Sequence, residues 1–173
     1  MQLLICPGYH STHLTHKFLQ SLLTLVTPER LWILPIWPLP GAGLPWLLST
    51  QQAPKKTELL YVIGFSAGVV AAYSLVMAWQ GMGGSSRLIA VDGWGMPLPG
   101  APYVYRMSHD RWTHDTTYFP TADESQGYFY AHPAVEHLTF WQSPQIAKGI
   151  GALGTGPRPM TALEFIYAVL SSD

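Results

Sequence analysis

The chain has 173 residues, of which 48% are hydrophobic and 11% are charged, and its formal net charge is −1 with histidine neutral. So low a charge content excludes a disordered chain, and the length fits one buried core. The nine lysines and arginines form no cluster, so there is no basic surface of the kind that binds nucleic acid. We therefore expect one compact domain over residues 1–173.

The N-terminal segment and the cysteine count indicate the cellular compartment of the protein. Cys6 is the one cysteine of the chain, which excludes an intrachain disulfide and fits a reducing compartment. The first apolar run is short, follows no positive charge and stops at Pro7-Gly8, unlike a signal peptide. These features predict a cytoplasmic protein.

The first part of the chain alternates apolar runs with one periodic segment. The first run stops at Pro7-Gly8, as a buried strand does before a turn. In the periodic segment apolar residues recur every three or four positions until Pro28, which is typical of a helix. The predicted elements are a strand at 3–6, a helix at 11–27, a strand at 30–36, a proline-rich loop at 35–45 and a short helix at 44–52.

The remainder continues the alternation, with glycine and proline runs between the elements. The run at 154–159 is rich in both residues and is interpreted as a break between two helices. The predicted elements are a strand at 58–65, a helix at 67–80, strands at 87–91, 102–107 and 127–131, and helices at 144–153 and 160–170.

Apolar strands alternating with helices indicate the α/β class. We predict one doubly wound, three-layer domain with a mostly parallel sheet of about six strands, whose ligands sit at the carboxyl ends of the strands. The segment 93–102 is too short for a separate lid domain. The extra C-terminal helix at 160–170 has apolar positions that can pack on its own body or on a second copy, so a homodimer is possible.

The uncharged segment 59–86 is long enough to cross a membrane. Its first part is rich in β-formers, its later part is rich in alanine, and two glycines interrupt it. A buried strand followed by a buried helix explains this better, so no membrane span is expected.

Residues 64–68 read Gly-Phe-Ser-Ala-Gly, the G-x-S-x-G pattern, and they lie between a predicted strand and a predicted helix. In that context the pattern indicates a sharp turn that exposes a nucleophilic serine, here Ser66. The small neighbours let the strand and the helix approach each other. The alternative is a plain Gly-Ser turn in the core.

Two backbone amides are candidates for an oxyanion hole. Acyl transfer needs donors aimed at the oxygen that becomes negative. The amide of Ala67 follows the nucleophile, and the loop after the first strand offers the amide of Tyr9, with His10 as the alternative. Pro7-Gly8 is also compatible with a plain turn.

These features resemble the α/β-hydrolase superfamily, and the compactness resembles its small, lid-less serine hydrolases. In that family the acid and then the histidine follow the serine along the chain. The resemblance implies that Asp110, after the strand at 102–107, is the acid. It implies that His137, which precedes an apolar stretch and Pro144, is the base.

Other residues compete for these roles. Asp92 ends the fourth predicted strand, where some hydrolases carry their acid, and Asp115 is a further candidate. His132 lies nearer than His137 to the predicted last strand. His10, His13 and His16 are spaced by three, but no carboxylate lies near them. His109-Asp110 and His114-Asp115 could form a metal cluster, but a triad explains this region better, so we expect no metal and no other cofactor.

The expected activity is a serine hydrolase that cleaves small acyl esters or thioesters by a Ser-His-Asp triad, through an acyl-enzyme. An amidase or peptidase with the same triad is an alternative, because the pocket and not the triad determines which leaving group the enzyme accepts. A catalytically inactive α/β-hydrolase fold that serves as a binding module is a third possibility.

Overall fold

A computed structural model describes residues 1–35, 40–93, 98, 103–117, 127–154 and 156–172. Within these residues the chain is an α/β protein with one mostly parallel sheet. The strands are β1 (Gln2–Cys6), β2 (Arg30–Ile33), β3 (Leu60–Phe65), β4 (Ser86–Val91), β5 (Val104–Ser108), β6 (Tyr128–Ala131), β7 (Lys148–Ala152) and β8 (Pro157–Thr161). The helices are α1 (Thr12–Leu22), α2 (Gly43–Ser49), α3 (Gly68–Gly81), α4 (Arg111–Thr117), α5 (His137–Gln142) and α6 (Ala162–Leu170).

The sheet has the strand order β2-β1-β3-β4-β5-β6-β7-β8. Strands β1 to β6 pair in parallel, and β7 and β8 pair antiparallel at one side. The chain goes from β1 outward to β2 and then crosses to β3 on the other side of β1. In open sheets of this kind, ligands bind beyond the carboxyl ends of the strands at such a reversal.

Apolar side chains of the central strands are buried on both faces of the sheet. In β1, Leu3 and Ile5 pack on one side with α1, α5 and α6, while Leu4 and Cys6 pack on the other with α2 and α3. Side chains of a strand alternate between the two faces, so continuous apolar runs are required when helices cover both. This explains why β1 and β3 lack polar alternation.

Four turns meet at the carboxyl edge of the sheet because the parallel strands are in register. Cys6 lies opposite Gly64, Phe65 opposite Val91, and Val91 opposite Met107. The residues that follow β1, β3, β4 and β5 therefore begin at nearly the same level.

The α/β class and the mostly parallel sheet are confirmed, but the prediction of about six strands is wrong, since eight are formed by the described residues. The predicted helix at 144–153 contains β7, and the predicted break at 154–159 contains most of β8. Proline lacks the amide hydrogen of a strand ladder, and Pro157 and Pro159 are accommodated because β8 is an edge strand.

The segment 59–86 divides into β3 and α3, as the strand-and-helix interpretation predicts. No helix in the described part of the chain combines the length and apolar character needed to cross a membrane. At the C-terminus, α6 buries Leu163, Ile166 and Leu170 against its own body, and Tyr167 stays exposed.

Candidate active site

The turn at Ser66 has the backbone strain expected of an exposed nucleophile. Ser66 lies between β3 and α3 with φ at +52°, and its amide donates to the Val91 carbonyl oxygen at 2.8 Å. A positive φ costs a non-glycine residue roughly 1–2 kcal/mol, so the surrounding contacts must hold the turn. Such strained residues concentrate at functional sites.

The two glycines of the pattern are required by packing. A Cβ on Gly64 would lie 2.8 Å from the Ala72 Cβ. A Cβ on Gly68 would lie 2.1 Å from the carbonyl oxygen of Cys6. Both distances are below van der Waals contact, so glycine at these positions lets α3 lie directly against β3 and the end of β1.

The loop after β1 touches the turn at Ser66. A Cβ on Gly8 would lie 2.9 Å from the Ser66 Cβ. Among the described residues, no backbone hydrogen bond uses the amide of Tyr9 or Ala67 as donor, whereas the His10 amide donates to the Gly8 carbonyl oxygen at 3.0 Å. The amide of His10 is thus engaged, and those of Tyr9 and Ala67 are the two candidates for oxyanion binding.

His137 makes a short hydrogen bond to Asp92. The distance from His137 Nδ1 to Asp92 Oδ2 is 2.8 Å, and the Asp92 side chain has no exposed surface. An ionised carboxylate only accepts, so Nδ1 carries the hydrogen and Nε2 of neutral His137 keeps its lone pair. That tautomer is the one a general base requires.

Aromatic rings place the His137 imidazole beside the turn at Ser66. Phe65, the residue before Ser66, stacks on the imidazole with ring centroids 4.6 Å apart. Trp141, one turn further along α5, also stacks on Phe65, with ring centroids 4.8 Å apart. His137 and the residue before Ser66 therefore belong to one aromatic stack.

Asp92 is held in place by its backbone as well as its carboxylate. Its φ is +52°, and its amide donates to the Met107 carbonyl oxygen at 2.8 Å. Aspartate is one of the few residues that adopt a positive φ without great cost. This conformation follows β4 directly, as the one at Ser66 follows β3.

The prediction that Asp110 pairs with His137 is wrong, because Asp92 takes that place. Asp110 precedes α4, and its Oδ1 accepts a hydrogen bond from the Thr113 amide at 2.6 Å. An aspartate at this position caps a helix. Although burial opposes the shift, hydrogen bonds from Thr113 hold the pKa of Asp110 below its usual value.

The remaining alternatives lie elsewhere. Asp115 pairs with Arg111 at 2.9 Å on the exposed side of α4. His132 is exposed, and its amide donates to the Lys148 carbonyl oxygen at 2.9 Å in the β6–β7 ladder. Neither is joined to His137 or Asp92 by a hydrogen bond among the described residues.

His109 belongs to the site, although the sequence reasoning gave it no catalytic role. Its amide donates to Asp92 Oδ1 at 2.8 Å, and its Nδ1 lies 3.0 Å from Asp92 Oδ2. The hydrogen bond to Asp92 raises the pKa of His109 above its usual value. Its position in the sequence could have indicated this, because His109 directly follows β5, and β5 pairs with β4, the strand that Asp92 follows.

Asp92, His109 and His137 present possible ligand atoms within 4.8 Å of one another. A metal ion needs the lone pairs of deprotonated ligands. Here both Nδ1 atoms point at one carboxylate oxygen at hydrogen-bonding distances. The cluster is arranged as donors around an acceptor, a geometry that suits proton transfer.

A small cavity lies beside the loop after β1. Its volume is about 130 Å³, and its walls come from that loop, the first turns of α1 and the end of β2, with a mostly apolar surface. A cavity near 150 Å³ is large enough for benzene. Pro7 and His10, in its wall, flank Gly8 in the loop that packs against Ser66.

Two tryptophans outside the strands differ in their exposure. Trp112 is 73% exposed, and Trp46 is partly buried against the core on the α2 and α3 side. Trp37 and Trp94 lie outside the described residues. His13 and His16 are exposed on α1, and the His10 ring packs edge-on to Phe65 at 5.5 Å.

We compared the chain with protein-family models, with curated proteins and with solved structures, and none of these comparisons found a match.

Proposed function

We propose that the chain is a small serine hydrolase of the α/β-hydrolase type that cleaves short acyl esters or thioesters. The observation that carries the proposal is the strained turn at Ser66, held at φ +52° by three close-packed glycines. A plain core turn needs neither a positive φ at a serine nor a neighbouring loop pressed against its Cβ. Helices on both faces of the sheet support the doubly wound, hydrolase-like arrangement.

The catalytic residues in this proposal are Ser66, His137 and Asp92, with Asp92 replacing Asp110 as the acid. Nε2 of His137 takes the hydroxyl proton while Ser66 Oγ attacks the acyl carbon. Asp92 holds the imidazole in the required tautomer and stabilises the imidazolium that forms. The carboxylate is buried, so its interaction with the imidazolium is little weakened by water.

The amides of Tyr9 and Ala67 and the start of α3 stabilise the negative charge that develops on the acyl oxygen. The amide of Ala67 lies at the N-terminal end of α3, where the helix dipole favours an anion. The amide of Tyr9 is the second donor. The tetrahedral intermediate collapses as His137 returns the proton to the leaving alcohol or thiol. Water, activated by the same imidazole, then releases the acid.

The small size of the cavity beside Pro7 supports the proposal that the substrates have short acyl groups. At about 130 Å³ it holds a group slightly smaller than benzene, so a short acyl chain fits. A pocket of this size disfavours long-chain lipids.

Hydrolysis of a series of p-nitrophenyl and thiophenyl esters, from acetyl to octanoyl, tests this proposal. We expect turnover by the wild type, highest for short chains, and a fall of at least about 10³-fold in Ser66→Ala. Cooperative unfolding of the variant controls for its fold. Equal rates for the two proteins would contradict the role of Ser66.

A further inference from the structure

The wall of the cavity beside the loop after β1 includes two residues with buried polar atoms that have no hydrogen-bond partner. Among the described residues, three buried side-chain polar atoms lack a partner, and two of them, His10 Nε2 and Thr15 Oγ1, belong to residues of this wall. Thr15 is only 3% exposed, so water reaches its hydroxyl poorly. Buried polar groups are nearly always paired, because an unpaired one costs free energy. Two of them at one cavity indicate that a polar group binds there.

The hydrogen bonds already made decide what these two residues can offer to a bound group. His10 Nδ1 lies 2.9 Å from the Ser11 carbonyl oxygen, which only accepts, so Nδ1 carries the hydrogen and Nε2 of the neutral ring is an acceptor. The Thr15 hydroxyl can donate and accept. Threonine in a helix uses two side-chain rotamers, so this hydroxyl can turn toward a bound group while α1 stays in place.

We propose that the cavity binds a hydroxyl group on a short carbon chain, and that the substrate carries a hydroxylated acyl group. A hydroxyl donates to His10 and accepts from Thr15, whereas a carbonyl only accepts and a methyl does neither. Leu34 and Ile33 give the rest of the wall an apolar surface for the chain. The presence of the hydroxyl in the substrate rests on the proposed function, but its binding in the cavity does not.

The loop after β1 connects the cavity with the turn at Ser66. The His10 ring, in the cavity wall, packs edge-on against Phe65, the residue before Ser66, with centroids 5.5 Å apart. The amide of Tyr9, one residue earlier, is the proposed second donor to the acyl oxygen. An acyl group bound by that amide therefore has its chain beside the wall that His10 forms.

Isopropanol and acetone test the binding of the hydroxyl, since they have nearly the same shape and only isopropanol donates. Each is added to the full chain, and the chemical shifts of the cavity residues are followed by NMR. We expect isopropanol to bind at least about fivefold more tightly than acetone, and Thr15→Val to lower this preference by at least about threefold. Thr24→Val, exposed beyond the end of α1, is the control and should leave the preference unchanged.

Two further measurements separate the hydroxyl of Thr15 from its shape. Thr15→Ser keeps the hydroxyl and should keep the preference for isopropanol. Because Thr15 Oγ1 has no partner to lose, Thr15→Val should raise the midpoint of urea unfolding. Equal binding of isopropanol and acetone by the wild type, no binding of isopropanol, loss of the preference in Thr15→Ser or a lower midpoint in Thr15→Val would each overturn the inference.

Ester hydrolysis tests whether the hydroxyl belongs to the substrate. The p-nitrophenyl esters of two hydroxybutanoic acids, with the hydroxyl on the first or the second carbon after the carbonyl, are compared with esters that carry a methyl in its place. We expect the wild type to prefer one hydroxy ester over its methyl counterpart by at least about tenfold in kcat/KM, and Thr15→Val to lose this preference.

The binding measurement needs no turnover, so the two proposals fail separately. Preferential binding of isopropanol by a protein that hydrolyses none of the esters supports the hydroxyl site and removes the proposed function. Hydrolysis of each hydroxy ester and its methyl counterpart at equal rates overturns the inference and leaves the proposed function in place.

Discussion

Asp92→Asn is expected to lower the rate of ester hydrolysis by about 10⁴-fold, the scale found when a triad aspartate becomes an amide. The asparagine Nδ2 donates where the carboxylate accepted, so His137 can place its hydrogen on Nε2 and lose the lone pair that takes the serine proton. The fold should persist, because asparagine tolerates the positive φ at this position. The measurement is kcat/KM on a short-chain ester.

Asp110→Asn is the matched control for Asp92→Asn. Asparagine also caps helices, so the hydrogen bond from the Thr113 amide is retained. We expect Asp110→Asn to change kcat/KM by less than about tenfold, corresponding to less than about 1.4 kcal/mol. Losses of similar size in the two variants would contradict the assignment of Asp92 as the acid.

The second large effect is expected at Gly68. A Cβ there would lie 2.1 Å from the Cys6 carbonyl oxygen and 2.6 Å from that of Pro7. Both atoms belong to the backbone that leads from β1 into the proposed oxyanion loop, so relief requires the loop or α3 to move. We expect Gly68→Ala to lower the free energy of unfolding by about 3 kcal/mol or more, measured by urea denaturation.

Gly81→Ala provides the control at the other end of α3. Nothing lies within 4 Å of a Cβ built on Gly81. Alanine reduces the conformational entropy of the unfolded chain, so a gain of about 0.5 kcal/mol is expected. Equal unfolding free energies for the two variants would show that α3 does not press on the end of β1 as described.

The turn at Ser66 was predictable because the signal is local. The spacing of Gly64, Ser66 and Gly68 between an apolar strand and an alanine-rich helix specifies a sharp turn, and the structure has one with the required backbone. The strands β1 to β6 were also predictable, since continuous apolar runs bounded by turn residues indicate strands buried on both faces. These features depend on a few neighbouring residues.

The aspartate that contacts His137 was not predictable from local signals. Asp92 and Asp110 both follow strands that end at the same edge of the sheet, so the sequence offers each as a partner for His137. The choice depends on three-dimensional details. Asp110 directly precedes α4, and its carboxylate caps that helix by accepting a hydrogen bond from the Thr113 amide. Asp92 turns its buried carboxylate toward the two imidazoles through a positive φ.

The end of the sheet was mispredicted for a similar reason. The segment that becomes β7 contains Gly149 and Gly151, and both lie in antiparallel register between β6 and β8. The run that becomes β8 contains two prolines, which usually mark a break. Both segments become strands because they pair with neighbouring strands of the sheet, and such pairing outweighs local propensity.

The most direct test of the account is covalent labelling of the folded protein with a fluorescent fluorophosphonate, followed by mass spectrometry of the labelled peptide. We predict that the label is found on Ser66, that Ser66→Ala is unlabelled, and that Asp92→Asn reacts far more slowly than the wild type. A folded wild-type protein that takes up no label, or takes it up at another residue, would contradict the claim that Ser66 is an activated nucleophile.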